Sequence, residues 1–210
     1  MNDAYPLRPF RVHDPRLIAE VIRRFPLAVV ISGDAGSHET SLLPLLMDER
    51  GDGERELIGH LDRNNPQAAL LVPGARVSFV FQGPNAYASP DLYPDRHLPG
   101  WLYVMAKGRG TVIERLDDAA AADALVAATT RFGAPDQAFG LRADDERIPR
   151  LIGGIVPFRV RIDTLSCIAK LAQDKGPEHA DIASRFLASR SAEEPIDLFL
   201  ELLEEGRIPD

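Results

Sequence analysis

Two side chains able to meet an anion stand three residues apart in the segment GHLDRNNPQ: the imidazole of His60 and the guanidinium of Arg63, followed by the amides of Asn64 and Asn65. Arg63 offers a planar fork of N–H donors, the geometry that suits a phosphate or carboxylate. Asn64-Asn65-Pro66 is adequately explained as a helix cap. Arg159 and Arg161 alternate along FRVRID and could form a second phosphate cradle, although a solvated strand face is the simpler expectation for them. The histidines, His13, His38, His60, His97 and His179, are scattered singly, so no metal-ligand spacing is present. Cys167 is the sole cysteine; it lacks an activating neighbour in sequence and is expected to fill core space. The phosphate loop, H-E-x-x-H and G-x-S-x-G signatures are all missing. Gly108-Arg109-Gly110 has no third glycine to make a dinucleotide loop. No residue is an evident general acid or base, so any redox chemistry is expected to belong to a bound cofactor.

The chain that must position these groups has 210 residues, 45% of them hydrophobic, and a formal charge of −8 from 24 basic and 32 acidic side chains. That length buries a substantial core, about 70% of the unfolded surface. An acidic chain is poorly suited to gripping nucleic acid, whose affinity comes from phosphate neutralisation by Lys and Arg, so direct nucleic-acid binding is doubtful. The longest apolar runs, PLAVVI at 26–31 and LLPLLM at 42–47, fall far short of the roughly 18 residues that a membrane span needs. The start, MNDAYPLRPF, lacks the basic-then-apolar layout of a secretory signal. A cytoplasmic protein is expected.

Punctuation divides the chain into strands with a few helices. Asp14 and Pro15 open a helix whose apolar face carries Leu17, Ile18, Val21, Ile22 and Phe25, and Pro26 ends it. Strands are expected at 27–33, 40–49, 55–62, 75–83, 101–116 and 153–165, with Pro44 marking a bulge or an edge. NNPQAALLVPG reads as a short capped helix, and Asp117 or Asp118 caps an Ala-rich helix that Gly133 closes. Residues 84–100 read as a loop holding Tyr87, Tyr93, Arg96 and His97, with core or interface packing the expectation for Tyr93. Further helices are expected from Pro177 and Pro195, the second with an apolar face of Ile196, Leu198, Phe199, Leu202 and Leu203. Strands without strict βαβ alternation favour a mainly β architecture, an antiparallel barrel decorated by helices.

Three blocks in order, LLPLLMD, GHLDRNNPQ and FQGPNAYASPDLYP, followed by PGWLY and AKLAQDK, resemble the PaiB family of FMN-binding split-barrel proteins, often described as negative transcriptional regulators. The resemblance implies a six-stranded antiparallel Greek-key split barrel over residues 1–174, with a helical extension over 175–210 packed on the barrel or on a partner subunit. It implies FMN as cofactor and a homodimer that holds the flavin at its interface. Carried over by position, His60, Leu61, Arg63 and Asn64 lie near the flavin phosphate, joined by Ser41. Gln82 and Gly83 lie toward the ring, Tyr87, Ser89 and Trp101 wall the pocket, and Lys170 and Gln173 complete it. Five positions depart from the family's pattern: Leu42, Asn85 and Lys107 where histidine is usual, Leu92 for tryptophan, and Leu102 for asparagine. Apolar replacements suit a core, whereas changes in a polar pocket weaken FMN binding.

The expected function is accordingly that of an FMN-binding protein, a flavin-dependent oxidoreductase or a flavin-responsive regulator. The alternatives are a negative transcriptional regulator and a cofactor-free dimeric interaction module.

Overall fold

The computed structural model describes residues 8–33, 36–49, 55–95, 98–133 and 139–190. Its strands are β1 (Arg11–Val12), β2 (Leu27–Gly33), β3 (His38–Glu49), β4 (Arg55–Asp62), β5 (Arg76–Ala88), β6 (Gly100–Arg115) and β7 (Ile155–Lys170). Its α-helices are α1 (Pro15–Arg24), α2 (Asp118–Phe132), α3 (Ile148–Gly154) and α4 (Pro177–Arg190). The strand order is β1-β7-β4-β3-β2-β5-β6, and β7 also pairs with β6. The six long strands therefore close into a ring, to which the two-residue β1 is added. The β2–β3, β2–β5, β3–β4 and β4–β7 ladders are all antiparallel. This is the expected mainly β split barrel with helices, with one short strand more than the six foreseen.

Local chemistry explains the element boundaries. Asp14 caps α1 by accepting from Arg16 N, and Asp117 caps α2 by accepting from Ala120 N. Asn65 does the same for the 3₁₀ turn Pro66–Ala69, accepting from Gln67 N. Pro44 has a strand partner on the β2 side alone, an edge-like position. It pairs with Leu27 at the last β2–β3 position, and the β3–β4 pairs begin at Leu45. A residue without an N–H is tolerated there because β3 changes partners at that point.

Two strands run further than their sequence patterns indicate. β5 continues through Pro84 to Ala88, so the expected loop at 84–100 shrinks, and β7 continues through Cys167 to Lys170. The expected second C-terminal helix, with Ile196, Leu198, Phe199, Leu202 and Leu203, lies outside the described residues, as do Arg96 and His97.

The chain divides into two compact units: Val12–Gly83 with Met105–Cys167, and a smaller one that includes Pro84–Val104 and the described residues from Ile168 onward. In the larger unit, alternate residues of each strand point inward, giving a core of Val30, Leu45, Leu57, Phe79, Phe81, Val112, Phe158 and Val160, with Cys167 also buried. Gly59 pairs with both Leu45 and Phe158, and a Cβ there would stand 2.4 Å from the Leu45 side chain. The fully buried Gln67 donates through Nε2 to Val30 O, Ser32 Oγ and Glu39 O, stitching the 3₁₀ turn to β2 and β3. In the smaller unit, Ala86, Ala88, Tyr93, Leu102, Ala183 and Leu187 form a separate core. There His179 of α4 lies against the Tyr93 ring at 5.1 Å and meets Asp95 Oδ1 at 2.8 Å. Desolvation, aided by the charge of Asp174, raises the Tyr93 phenol above its ordinary value.

Arg159 and Arg161 differ from the solvated pair expected of them. Arg161 meets Asp163, but the Arg159 side chain is only 11% exposed and is held by Asp48, Glu56 and Glu114. With three carboxylates around it, Arg159 is committed to the fold and is not a phosphate cradle.

Candidate functional site

The end of β4 and the turn after it bring the first group of candidates together. His60 is half-buried, opposite Pro157 in the β4–β7 register, and desolvation lowers its pKa from the usual 6.5. At neutral pH it is thus an uncharged imidazole able to donate or accept. The Leu61 side chain is buried in the barrel core, so any contact from that position is made by backbone. Arg63 is exposed and reaches α3 and the start of β7: Nε donates to Gly153 O at 2.8 Å and Nη2 to Ile155 O at 2.9 Å. These acceptors are neutral. Among the described residues Arg63 has no carboxylate partner, so its charge remains available to an anion even though two of its N–H directions are committed.

The backbone of this turn is already satisfied. Arg63 N donates to Gly154 O, Asn64 N to Asp62 Oδ1, and Asn65 N to Asp62 O. Asn64 is exposed, and its amide nitrogen serves only that local bond. Ser41, on β3, accepts from Asn65 Nδ2 at 2.9 Å. Asn65 is the site residue that sequence reasoning passed over, because its cap role alone accounts for its type. Gln82 is exposed at the end of the larger unit's part of β5, and Gly83 beside it is buried.

The remaining candidates belong to the smaller unit. Tyr87 and Trp101 meet edge to face at 6.0 Å and are both largely exposed, at 51% and 56%. Lys170 Nζ lies 4.0 Å from where a Cβ would stand on Gly100. Ser89 caps the 3₁₀ turn Pro90–Leu92 by accepting from Asp91 N. Gln173 accepts from Leu171 N and donates to Ala169 O, which closes the turn at the end of β7 where Ala172 adopts a left-handed φ of 57°. Ser89 and Gln173 thus have local structural tasks. Of the five departures, Leu102 is buried and Leu92 packs on the same core, whereas Leu42, Asn85 and Lys107 are exposed.

A groove of about 1050 Å³ opens elsewhere on the larger unit, between α1 and α2 and over Leu45, Met47 and Ile58; Arg159 lines it, but none of the candidate flavin-site residues does. Among the described residues no cluster of His, Cys, Asp and Glu could hold a metal ion. No helix there is long and apolar enough to cross a membrane.

The closed antiparallel ring of six strands is a split barrel, and the turn leaving β4 presents the exposed Arg63 beside Asp62. Residues 4–164 match the model of the family described as "Putative FMN-binding domain", and the chain belongs to that family, whose cofactor is a flavin. The Bacillus subtilis (strain 168) protein named "Protease synthase and sporulation protein PAI 2" is 23% identical over 168 residues, spanning 79% of this chain and 80% of that one. Among solved structures, the FAD and heme binding protein of Mycobacterium smegmatis superposes with a TM-score of 0.56 at 21% identity, covering 76% of this chain and 73% of the other. The conserved hypothetical protein Rv2991 of Mycobacterium tuberculosis gives 0.54 at 15% identity, covering 78% and 89%. At such identities these structures establish the fold.

Proposed function

We propose that this chain binds FMN by its phosphate, as a cytoplasmic homodimer, and works as a flavin-dependent oxidoreductase. The observation that carries the reading is Arg63: a guanidinium anchored by two backbone carbonyls, with no carboxylate partner among the described residues, on the turn that follows the neutral His60. An anchored cation has lost its rotamer freedom before a ligand arrives, which favours binding of a phosphate dianion. His60 adds a hydrogen bond without adding charge. Bound flavin supplies reversible one- and two-electron transfer, chemistry that no side chain of this chain provides. The exposed Tyr87–Trp101 pair gives the smaller unit an aromatic surface, of the kind that a flavin ring or a second copy covers.

The relative's printed name concerns protease synthesis and sporulation. A regulatory outcome of that sort is reached here through the redox state of a bound cofactor, in keeping with a net charge of −8 that opposes contact with DNA. The test is a titration of purified protein with FMN, followed by flavin fluorescence and absorbance, alongside sedimentation to read the oligomeric state. Saturable binding by a dimer, with reduction of the bound flavin by a nicotinamide or dithionite donor, is the expected result. Absence of any spectral change at micromolar protein overturns the reading.

A further inference from the structure

We infer that Asn65 is a positioning residue for the phosphate, fixing the Ser41 hydroxyl as a hydrogen-bond donor toward the bound anion. The inference rests on the flavin reading above and extends it to a residue whose cap role had seemed sufficient.

The argument is one of hydrogen-bond polarity. A backbone N–H can only donate, and Gln67 N lies 2.9 Å from Asn65 Oδ1. The oxygen of the Asn65 amide must therefore face Gln67, which turns its nitrogen toward Ser41, at 2.9 Å from Oγ. An amide nitrogen of this kind only donates, so Ser41 accepts there. A serine hydroxyl has a single hydrogen. Among the described residues nothing else takes that hydrogen, and Ser41 is only half-buried, so the O–H is left for an incoming acceptor.

The backbone makes this donor matter. The N–H groups of Arg63, Asn64 and Asn65 all bond within the protein, and those of Gln67 and Ala68 are bonded to Asn65. The turn thus offers an anion no free backbone N–H at these positions. Donors for a phosphate must come from side chains, and Ser41 has its polarity set in advance. The same amide that caps the 3₁₀ turn orients the ligand-facing hydroxyl, so one residue links a folding feature to recognition.

The test compares FMN with riboflavin, which carries the same ring without the phosphate, in fluorescence titrations of full-length wild type, Ser41→Ala, Asn65→Ser and Asn65→Asp. Serine is itself a good cap and keeps the turn, while withdrawing the Nδ2 donor. Aspartate keeps the acceptor for Gln67 but reverses the polarity toward Ser41 and adds a negative charge. Loss of a hydrogen bond to a charged group predicts FMN affinity lowered about tenfold or more in Ser41→Ala, with a smaller loss in Asn65→Ser and the largest in Asn65→Asp. Riboflavin affinity should be unchanged in all of them. Asn65→Ser should cost nothing further in the Ser41→Ala background, because both act through one hydroxyl. Wild-type preference for FMN retained by Ser41→Ala and Asn65→Ser, or losses that add independently, overturns the inference while leaving the flavin reading intact. A wild type that binds neither flavin overturns the flavin reading itself, and this inference with it.

Discussion

Arg159 provides the most exacting check on how the barrel wall is held. Asp48 and Glu56 stand directly opposite each other in the β3–β4 register, a placement that brings two negative charges together and destabilises a sheet. Arg159 Nη1 donates to both carboxylates at 2.9 Å, and Nε donates to Glu114 at 2.8 Å. Burial alone would lower the guanidinium pKa, but the bonds to Glu56 and Asp48 outweigh it and the pKa rises. The four side chains are unequal: Glu56 is 4% exposed, whereas Asp48 and Glu114 are 40% and 50% exposed. The exposed pairs are solvent-screened and contribute little. The penalty on removing the cation therefore falls mainly on Glu56, which loses its buried ion pair with Arg159, and Arg159→Met should lose about 3 kcal/mol, the lower end of the range for breaking a buried pair. At roughly 2–4 °C per kcal/mol for a chain of this size, the melting temperature should fall by about 10 °C. Calorimetry at neutral pH measures it. Glu56→Leu combined with Arg159→Met should recover most of the loss, since an apolar pair removes the buried charges altogether. A single variant within about 1 kcal/mol of wild type, the range of exposed pairs, or a double variant as unstable as the single one, would refute this account.

Gly108→Ala places a Cβ 2.2 Å from Thr164 O and 2.7 Å from the Phe79 ring, and neither a strand carbonyl nor a core ring can retreat cheaply. A loss of about 3 kcal/mol is expected by chemical denaturation, at the upper end of overpacking costs. Gly153→Ala meets nothing within 4 Å and serves as a control that should be neutral or slightly stabilising. His60 gives the pH dependence its sign: burial lowers its folded pKa below the usual 6.5, so the unfolded chain binds the proton more readily. Its contribution to stability is full above that value and is lost as pH falls through 6.5 toward the folded pKa. Stability measured against His60→Gln across that window should show wild type declining more steeply; parallel profiles would show that His60 does not titrate as its burial requires.

What could be read from the sequence was what depends on neighbouring residues. Asp14, Asn65 and Asp117 cap the turns that follow them because capping involves residues two or three positions away. The alternation of Phe158 and Val160 with Arg159 and Arg161 placed β7 correctly, since burial on one face imposes a period of two. The ends of β5 and β7 were not legible. Pro84 and Asn85 are poor strand residues, and Ser166 to Lys170 lack alternation, so only tertiary pairing keeps them extended. Arg159 was misjudged for a related reason: its three partners lie at positions 48, 56 and 114, and nothing local to FRVRID signals them. Asn65 was half legible. One end of its amide caps the adjacent turn, while the other meets a serine 24 residues earlier.

That division bears on the five departures from the family's pattern. Leu102 is buried in the smaller unit's core and Leu92 packs against it, so these two changes answer to packing with Tyr93, Ala183 and Leu187. Their apolar character suits that core. Leu42, Asn85 and Lys107 are different, because they are exposed and the fold does not require their identities. Leu42 follows Ser41 directly and is 59% exposed, a placement for a large apolar side chain that packing among the described residues does not explain. If a histidine at that position contributes to anion binding, Leu42→His should raise FMN affinity without changing the melting temperature of the free protein. An unchanged affinity would show that position 42 takes no part in anion recognition. Because the donors left for an anion are side chains and the turn's backbone is already bonded, affinity for the cofactor can change at such positions while the barrel remains as it is.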